Sequence, residues 1–293
     1  MTTDATLVLT QAGAHASTPQ FKAASDASAS SRVAGRAVKA AAASWFVVAV
    51  LGQLIFVGYM LALYGRAALQ GRFADWNTVM SHGYLPGDSV GNLVVLMHLL
   101  FATFVIVGGA LQLVPMVRRR WPVFHRWNGR AYLLSALVAS AAGLYMLWVR
   151  GVAGGDASQH IAISINALLS IGFVGMAYHH ARARRIDVHR RWALRLYLTV
   201  LGAWFFRIGL MFWILVNQGP AGFDPKTFTG PFITILSFAQ YLLPLAALQL
   251  YFHAQDNTGT WRRIAVATGL FAMTGVTAIG IFGATMALWL PHM

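Results

Sequence analysis

Seven apolar stretches, each about long enough to cross a lipid bilayer as a helix, dominate this chain of 293 residues. A bilayer-spanning helix needs about 20 predominantly apolar residues. The composition agrees, because 58% of the residues are hydrophobic and 10% are charged, against about a quarter charged in a typical soluble domain. We therefore predict an all-α, multi-pass transmembrane helical bundle with spans at 45–64, 91–115, 130–149, 160–180, 193–216, 231–252 and 264–290.

The positive charges fall mainly on one side of the predicted bundle. Of the 22 Lys and Arg residues, 17 lie in residues 1–40 and in the connections at 116–130, 179–195 and 253–263, and four lie on the other side. Positive charge concentrates on the cytoplasmic side of membrane proteins. We therefore predict a bacterial inner-membrane protein with a cytoplasmic N-terminus and a periplasmic C-terminus. Residues 1–40 lack apolar periodicity and are predicted to be a disordered cytoplasmic tail, before a transmembrane domain over 41–293.

One basic, aromatic phrase occurs twice, 65 residues apart. Residues 124–133 read FHRWNGRAYL, and residues 188–198 read VHRRWALRLYL. Each phrase follows an apolar span that has a histidine near its outer end, His98 in the first copy and His160 in the second. This order predicts two tandem helical hairpins that form a duplicated four-helix core over 91–217. The matching positions are Trp127, Arg130, Tyr132 and Leu133 against Trp192, Arg195, Tyr197 and Leu198.

The polar side chains of this core are predicted to form two layers. The outer layer contains His98, His160 and Arg207, and the inner layer contains His125 and His189. An ionisable residue inside a membrane span is a candidate functional residue, because it is costly to place in lipid. Four further polar residues lie near the two layers: His179, His180, Asn166 and Gln112. His179 and His180 border the inner layer and could replace His125 or His189 as ligands of a cofactor.

Histidines on facing helices of a bundle can hold a cofactor. Neutral imidazole ligates haem iron, and arginine pairs with haem propionates. We therefore predict one or two b-type haems, with His98 and His160 as ligands of an outer haem and His125 with His189 as ligands of an inner one. The arginines predicted to accompany these haems are Arg126, Arg130, Arg190, Arg195 and Arg207. Small residues that would let a macrocycle approach the helices are Gly108, Gly109, Gly143, Gly172, Gly175 and Gly202.

A simpler interpretation of the same residues needs no cofactor. The histidines would hydrogen-bond to neighbouring helices, the glycines would allow close helix packing, and the inner histidines would contact headgroups. Trp127, Trp192, Tyr132 and Tyr197 would anchor the spans at the interface, where the arginines would hold anionic headgroups. The alternative function is then a haem-free transporter, lipid-binding protein or membrane assembly protein.

Several other functions are disfavoured by absent residues. The chain has no cysteine, which excludes disulfides, thiolate metal sites and a cysteine nucleophile. The eight acidic residues all lie outside the predicted spans, which disfavours carboxylate-based ion transport. No phosphate loop or dinucleotide-binding motif is present. The clustering of basic residues beside the spans favours the bilayer over nucleic acid as a partner. Whether the chain is an enzyme stays open; if it is one, we expect a membrane oxidoreductase.

Two resemblances bear on these hypotheses. The layout of residues 91–217 resembles the two-haem, b-type transmembrane cytochromes, in which the second and fourth spans hold one haem and the third and fifth hold the other. That resemblance implies electron transfer from quinol or a redox partner protein. The predicted inner histidines depart from it, because they lie in interfacial loops and cytochrome ligands are usually deeper. The strings HRWNGRAY and HRRWALRLY resemble the uncharacterised family called domain of unknown function 2306 over about residues 90–215. Membership of that family implies no established chemistry.

Overall fold

The computed structural model describes residues 19–151, 155–256 and 259–293, and within these ranges the chain is helical, with a single isolated β-bridge between Asp224 and Thr229. The α-helices are α1 (Pro19–Met60), α2 (Arg66–Leu69), α3 (Ser89–Leu113), α4 (Pro115–Arg120), α5 (Pro122–Trp148), α6 (Ala157–Arg182), α7 (Ile186–Val200), α8 (Gly202–Asn217), α9 (Pro231–Asp256) and α10 (Thr260–Ala284). Short π-helices at Leu61–Gly65 and Thr285–Trp289 extend α1 and α10, and 3-10 turns lie at Phe73–Thr78 and Leu290–His292.

The predicted multi-pass fold is confirmed. Among the described residues, six helical segments are long and apolar enough to cross a membrane, and the bent pair of α7 and α8 makes a seventh if it counts as one span. Each of the seven predicted spans coincides with one of these segments. The chain is therefore an all-α, polytopic membrane protein.

The fifth span is bent, which the sequence pattern did not predict. The axes of α7 and α8 meet at 55°. At the end of α7 the Thr199 hydroxyl donates back to the carbonyls of Arg195 and Leu196, at 3.2 and 3.1 Å. Such back-bonding bends helices, and Gly202 directly after the break adds no side chain to resist the bend.

Residues 19–40, which were predicted to belong to a disordered tail, form the first part of α1. Residues 1–18 lie outside the described residues. Alanine is frequent in this stretch and has the highest helix propensity. Tertiary contacts add to it: Val38 and Ala41 pack against Ala254 and Ala267, and Arg263 donates to the Ser31 carbonyl at 3.2 Å.

The duplicated core consists of two helical hairpins, as predicted. Helix α3 packs along α5, and α6 packs along α7, while α5 and α6 join the two hairpins. Helix α1 packs on α10, and α10 packs on α8. The hairpins are therefore flanked by the first and last long helices of the chain.

The two inner histidines lie in helices, which corrects their prediction as loop residues. Helix α5 begins at Pro122, so His125 is in its first turn, and helix α7 begins at Ile186, so His189 is in its first turn. Proline is favoured at the first position of a helix because that position needs no amide donor. The helices therefore extend beyond the apolar stretches into the basic segments.

Candidate functional site

The two repeated phrases meet at the centre of the core. Tyr132 of the first and Tyr197 of the second are buried, at 5% and 3% exposure. A β-carbon built on Gly109 of α3 would be 2.8 Å from the Tyr132 ring and 3.1 Å from the Tyr197 ring. Both tyrosines therefore pack against the α3 backbone, and their prediction as interface anchors is wrong. Glycine is required at position 109 because any side chain there would displace an aromatic ring.

The tryptophan and arginine of each phrase form the same contact. The Arg130 guanidinium lies 4.8 Å from the centre of the Trp127 ring, and the Arg195 guanidinium lies 4.7 Å from that of Trp192. These cation–π contacts follow from the three-residue spacing, which places both side chains on one helix face. The repeat in the sequence is therefore also a repeat in local structure.

The two central tyrosines differ in their hydroxyl partners, and this difference predicts opposite responses to phenylalanine. The Tyr197 hydroxyl donates to Gln53 Oε1 at 3.1 Å, whereas the buried Tyr132 hydroxyl has no partner among the described residues. We expect Tyr197→Phe to lower the free energy of unfolding by about 1 kcal/mol, and Tyr132→Phe to leave it unchanged or raise it. Denaturant titration in detergent measures both. Equal destabilisation by the two variants would contradict the assignment of partners.

In the outer layer, His98 faces α5. Its Nδ1 lies 2.9 Å from the carbonyl oxygen of Ala139. Since a carbonyl only accepts, Nδ1 carries the proton, and Nε2 is the remaining acceptor or ligand atom of the neutral ring. The absence of a side chain on Gly143 makes room for the His98 ring, whose Cε1 is 3.4 Å from the β-carbon position.

His160, the predicted partner of His98, contacts the last turn of α5. The His160 ring makes an edge contact with Trp148, with the ring centres 5.6 Å apart, and the Trp148 indole donates to Ser164 at 2.9 Å. Trp148 is 60% exposed and follows Ala139 by nine residues, which is about 180° around α5. His98 and His160 therefore contact opposite sides of α5. A haem shared by these two histidines would have to extend across α5, and the predicted outer site stays a prediction.

The carboxylate of Asp156 lies four residues before His160, at the N-terminus of α6. Asp156 caps the first turn of α6 by accepting from the Ser158 backbone amide at 2.9 Å. The hydrogen bond from the Ser158 hydroxyl lowers the pKa of this carboxyl below its usual value. The negatively charged Asp156 side chain therefore stabilises the N-terminus of α6.

Arg207, which was predicted to lie in the outer layer with His98, belongs to α8. Its guanidinium donates to the Ala203 carbonyl of its own helix at 2.9 Å and stands 5.5 Å from the centre of the Phe56 ring. It is within electrostatic range of His98 and of Tyr59. The contact with α1 was not predicted from the sequence.

The inner layer contains His125 and His189, in the first turns of α5 and α7. His189 Nδ1 lies 2.8 Å from the Ala177 carbonyl oxygen, so it donates to α6 and leaves Nε2 as the ligand atom. The buried Nδ1 of His125 has no partner among the described residues, and its backbone carbonyl accepts from Gln112 at 2.8 Å. The two imidazoles lie within electrostatic range of each other. The predicted inner pair therefore consists of half-buried rings from two different hairpins.

His180 belongs to the same cluster. It is within electrostatic range of His189, and its buried Nδ1 also has no partner among the described residues. The His179 ring lies 5.1 Å from that of His180, in edge contact. Within the described ranges, no three His, Cys, Asp or Glu side chains are placed to hold a bare metal ion. The cluster offers pairs of imidazoles, which is the number of axial ligands that haem iron accepts.

The predicted arginine partners lie in different environments. Arg126 and Arg190 are exposed near the inner histidines in sequence, whereas Arg195 donates to Gln249 of α9 at 3.2 Å and lies 5.4 Å from the Phe252 ring centre. Arg195 therefore contacts α9, and its role as a haem partner stays a prediction. Arg118, which was not predicted, lies within electrostatic range of His125.

Most of the predicted small residues are packed against side chains, which leaves little room for a macrocycle beside them. Gly108 lies against Phe104 and Asn128, and Gly202 against Asn166. At Gly172 and Gly175, by contrast, a β-carbon would meet nothing within 4 Å. Gly172 borders an apolar surface groove of about 480 Å³ that also contacts Trp192.

Sequence reasoning missed several buried polar residues in the spans. Gln53 is 1% exposed and bonds Tyr197, and Gln240 is 6% exposed beside Gly202. Four buried atoms of these helices lack a partner among the described residues: Gln53 Nε2, Tyr132 Oη, Asn166 Oδ1 and Trp204 Nε1. Glutamines inside apolar spans are the signal that would have identified these buried polar residues.

These features define a polytopic, all-α membrane protein with a core of two tandem helical hairpins. The chain belongs to the family described as "Predicted membrane protein (DUF2306)", whose model matches residues 95–243. The match covers about half of the chain and contains both repeated phrases. No curated protein and no solved structure matches the chain.

Proposed function

We propose that this protein is a membrane electron-transfer protein that holds one b-type haem between His125 and His189. The observation that carries the proposal is that these two half-buried imidazoles, one from each repeated phrase, lie in the first turns of α5 and α7, at the same end of the two hairpins. Two imidazoles from different helices are the axial ligand set of many membrane b-type haems.

The hydrogen bonds of the pair support this role. The Ala177 carbonyl fixes the proton of His189 on Nδ1, and such a second contact orients a metal-ligating histidine and raises its basicity. The bond from Gln112 to the His125 backbone holds the first turn of α5 against α3. His189 therefore keeps Nε2 as its ligand atom, while the buried Nδ1 of His125 has no partner among the described residues.

Charge at the same end of the bundle supports the proposal further. Arg118 lies in α4, and Arg126 and Arg190 directly follow the two histidines in α5 and α7. Guanidinium groups pair well with propionate carboxylates. When bound, a haem would supply a one-electron couple. A quinol or a soluble redox protein would donate or accept the electron. We further propose that this basic end is cytoplasmic, following the distribution of positive charge.

Histidine substitution tests which residues ligate the haem. We expect His125→Ala and His189→Ala each to abolish the reduced-minus-oxidised absorption band of the purified protein. His98→Ala and His160→Ala serve as matched controls and should retain it. Size-exclusion profiles identical to the wild type would show that the variants fold. Loss of the band in the outer variants with retention in the inner ones would overturn the proposal.

A second candidate function is haem-free lipid binding, transport or assembly. It is favoured by the matching Trp127–Arg130 and Trp192–Arg195 pairs, because tryptophan and arginine both bind at the membrane interface. This candidate predicts a colourless wild-type protein and reduced retention of anionic lipid in Arg126→Ala and Arg190→Ala. Stoichiometric haem in the wild type would contradict it.

A further inference from the structure

A groove of about 600 Å³ runs along the outside of α9 and α10. Leu250, His253 and Ala254 line it from α9, and Arg262, Gly269 and Met273 are among the α10 residues that line it. The groove is open because its walls contain small residues: a β-carbon on Gly269 would meet nothing within 4 Å. It is separate from the four histidines of the duplicated core.

The groove has a polar end and an apolar end. His253 lies near the end of α9 and Arg262 in the first turn of α10, on either side of the connection between the two helices. From Arg262 to Met273 the helix rises about 16 Å, which is close to half of the roughly 30 Å hydrocarbon core of a bilayer. Trp261, which is 82% exposed, marks the interface beside the polar end. The groove therefore spans one leaflet.

The charge at the polar end is positive. Asp256, the acidic residue nearest to Arg262 in sequence, forms an ion pair with Arg191 at 2.6 Å. Arg263 donates a hydrogen bond to the Ala254 carbonyl at 3.1 Å. Arg262 is exposed and lines the groove itself. A negatively charged group at this position would meet a guanidinium whose neighbouring carboxylate already has a partner.

We propose that this groove binds one anionic phospholipid from the leaflet on the basic side, with its phosphate at Arg262 and one acyl chain along Gly269 to Met273. The length, the apolar walls and the single cationic end match a phospholipid and do not match a free phosphate. The proposal is independent of the haem, since it uses none of the residues of the inner histidine pair.

Lipid retention tests the site. The purified protein is incorporated into nanodiscs of phosphatidylcholine with a minor fraction of phosphatidylglycerol, then extracted mildly and examined by native mass spectrometry. We expect one phosphatidylglycerol per chain. Gly269→Leu should fill the groove and abolish retention, and Arg262→Gln should reduce the preference for phosphatidylglycerol about fivefold.

Gly275→Leu is the matched control, because Gly275 is also on α10 with nothing within 4 Å of a β-carbon and does not line the groove. It should retain the lipid. Unchanged retention in Gly269→Leu, or equal retention of both lipids by the wild type, would overturn the proposal. So would a wild-type dimer that Gly269→Leu converts to a monomer, since the groove would then be occupied by a second copy of the chain.

Discussion

Replacement of Arg150 with alanine is expected to lower the free energy of unfolding by about 2–4 kcal/mol. The Arg150 side chain is 2% exposed and pairs with Asp88 at 2.9 Å. It also donates to Asn92 at 2.6 Å and to the His82 carbonyl at 2.7 Å. Alanine would leave these acceptors without their donor at the outer end of α5. Because the Asp88 side chain is 39% exposed, water would recover part of the loss, and the expected cost is below that of a fully buried pair.

Arg72→Ala is the matched control for this prediction. Arg72 pairs with Asp75 at 3.3 Å, but its side chain is 60% exposed, so its loss should cost less than about 1 kcal/mol. Unfolding of both variants can be followed by circular dichroism during denaturant titration in detergent. Equal stability of the two variants would show that the Arg150 contacts do not hold the outer loop to α5.

Gly280→Ala is expected to destabilise the protein by about 2–3 kcal/mol, although alanine is the better helix former. A β-carbon on Gly280 would lie 2.4 Å from the backbone oxygen of Ile208. A backbone atom cannot move aside as a flexible side chain can, so α10 and α8 would have to separate. Small residues at helix crossings allow this close approach in membranes.

Gly275→Ala lies on the same helix and provides the comparison. A β-carbon at position 275 would meet nothing within 4 Å, so we expect unchanged stability or a gain of up to about 1 kcal/mol. The same titration measures both variants. A loss of stability in Gly275→Ala as large as that in Gly280→Ala would indicate a general intolerance of α10 to substitution, and not a close crossing at Gly280.

The membrane spans could be predicted from the sequence because each is a long apolar stretch whose length matches the bilayer. The helical conformation of residues 19–40 was missed because this stretch lacks apolar periodicity, and part of its stabilisation comes from distant contacts such as that of Arg263 with Ser31, 232 residues away. The bend before Gly202 was also missed, because the back-bonding of the Thr199 hydroxyl leaves the hydropathy of the span unchanged.

The histidine layers also contain features that the sequence predicts and features that it does not. Position along a span predicts the depth of a residue, and this placed His98 and His160 in one layer. It does not predict the direction in which each ring points around its helix, and here they contact opposite sides of α5. His125 and His189, which were predicted to form a pair, each lie in the first turn of a helix at the same end of adjoining hairpins.

The visible spectrum of the detergent-purified wild-type protein, recorded with haem quantification, tests the central claim most directly. The proposed inner site predicts about one haem per chain and a reversible b-type band on reduction with dithionite. A protein expressed with ample haem that shows no such band and contains no stoichiometric haem would contradict the proposed electron-transfer function.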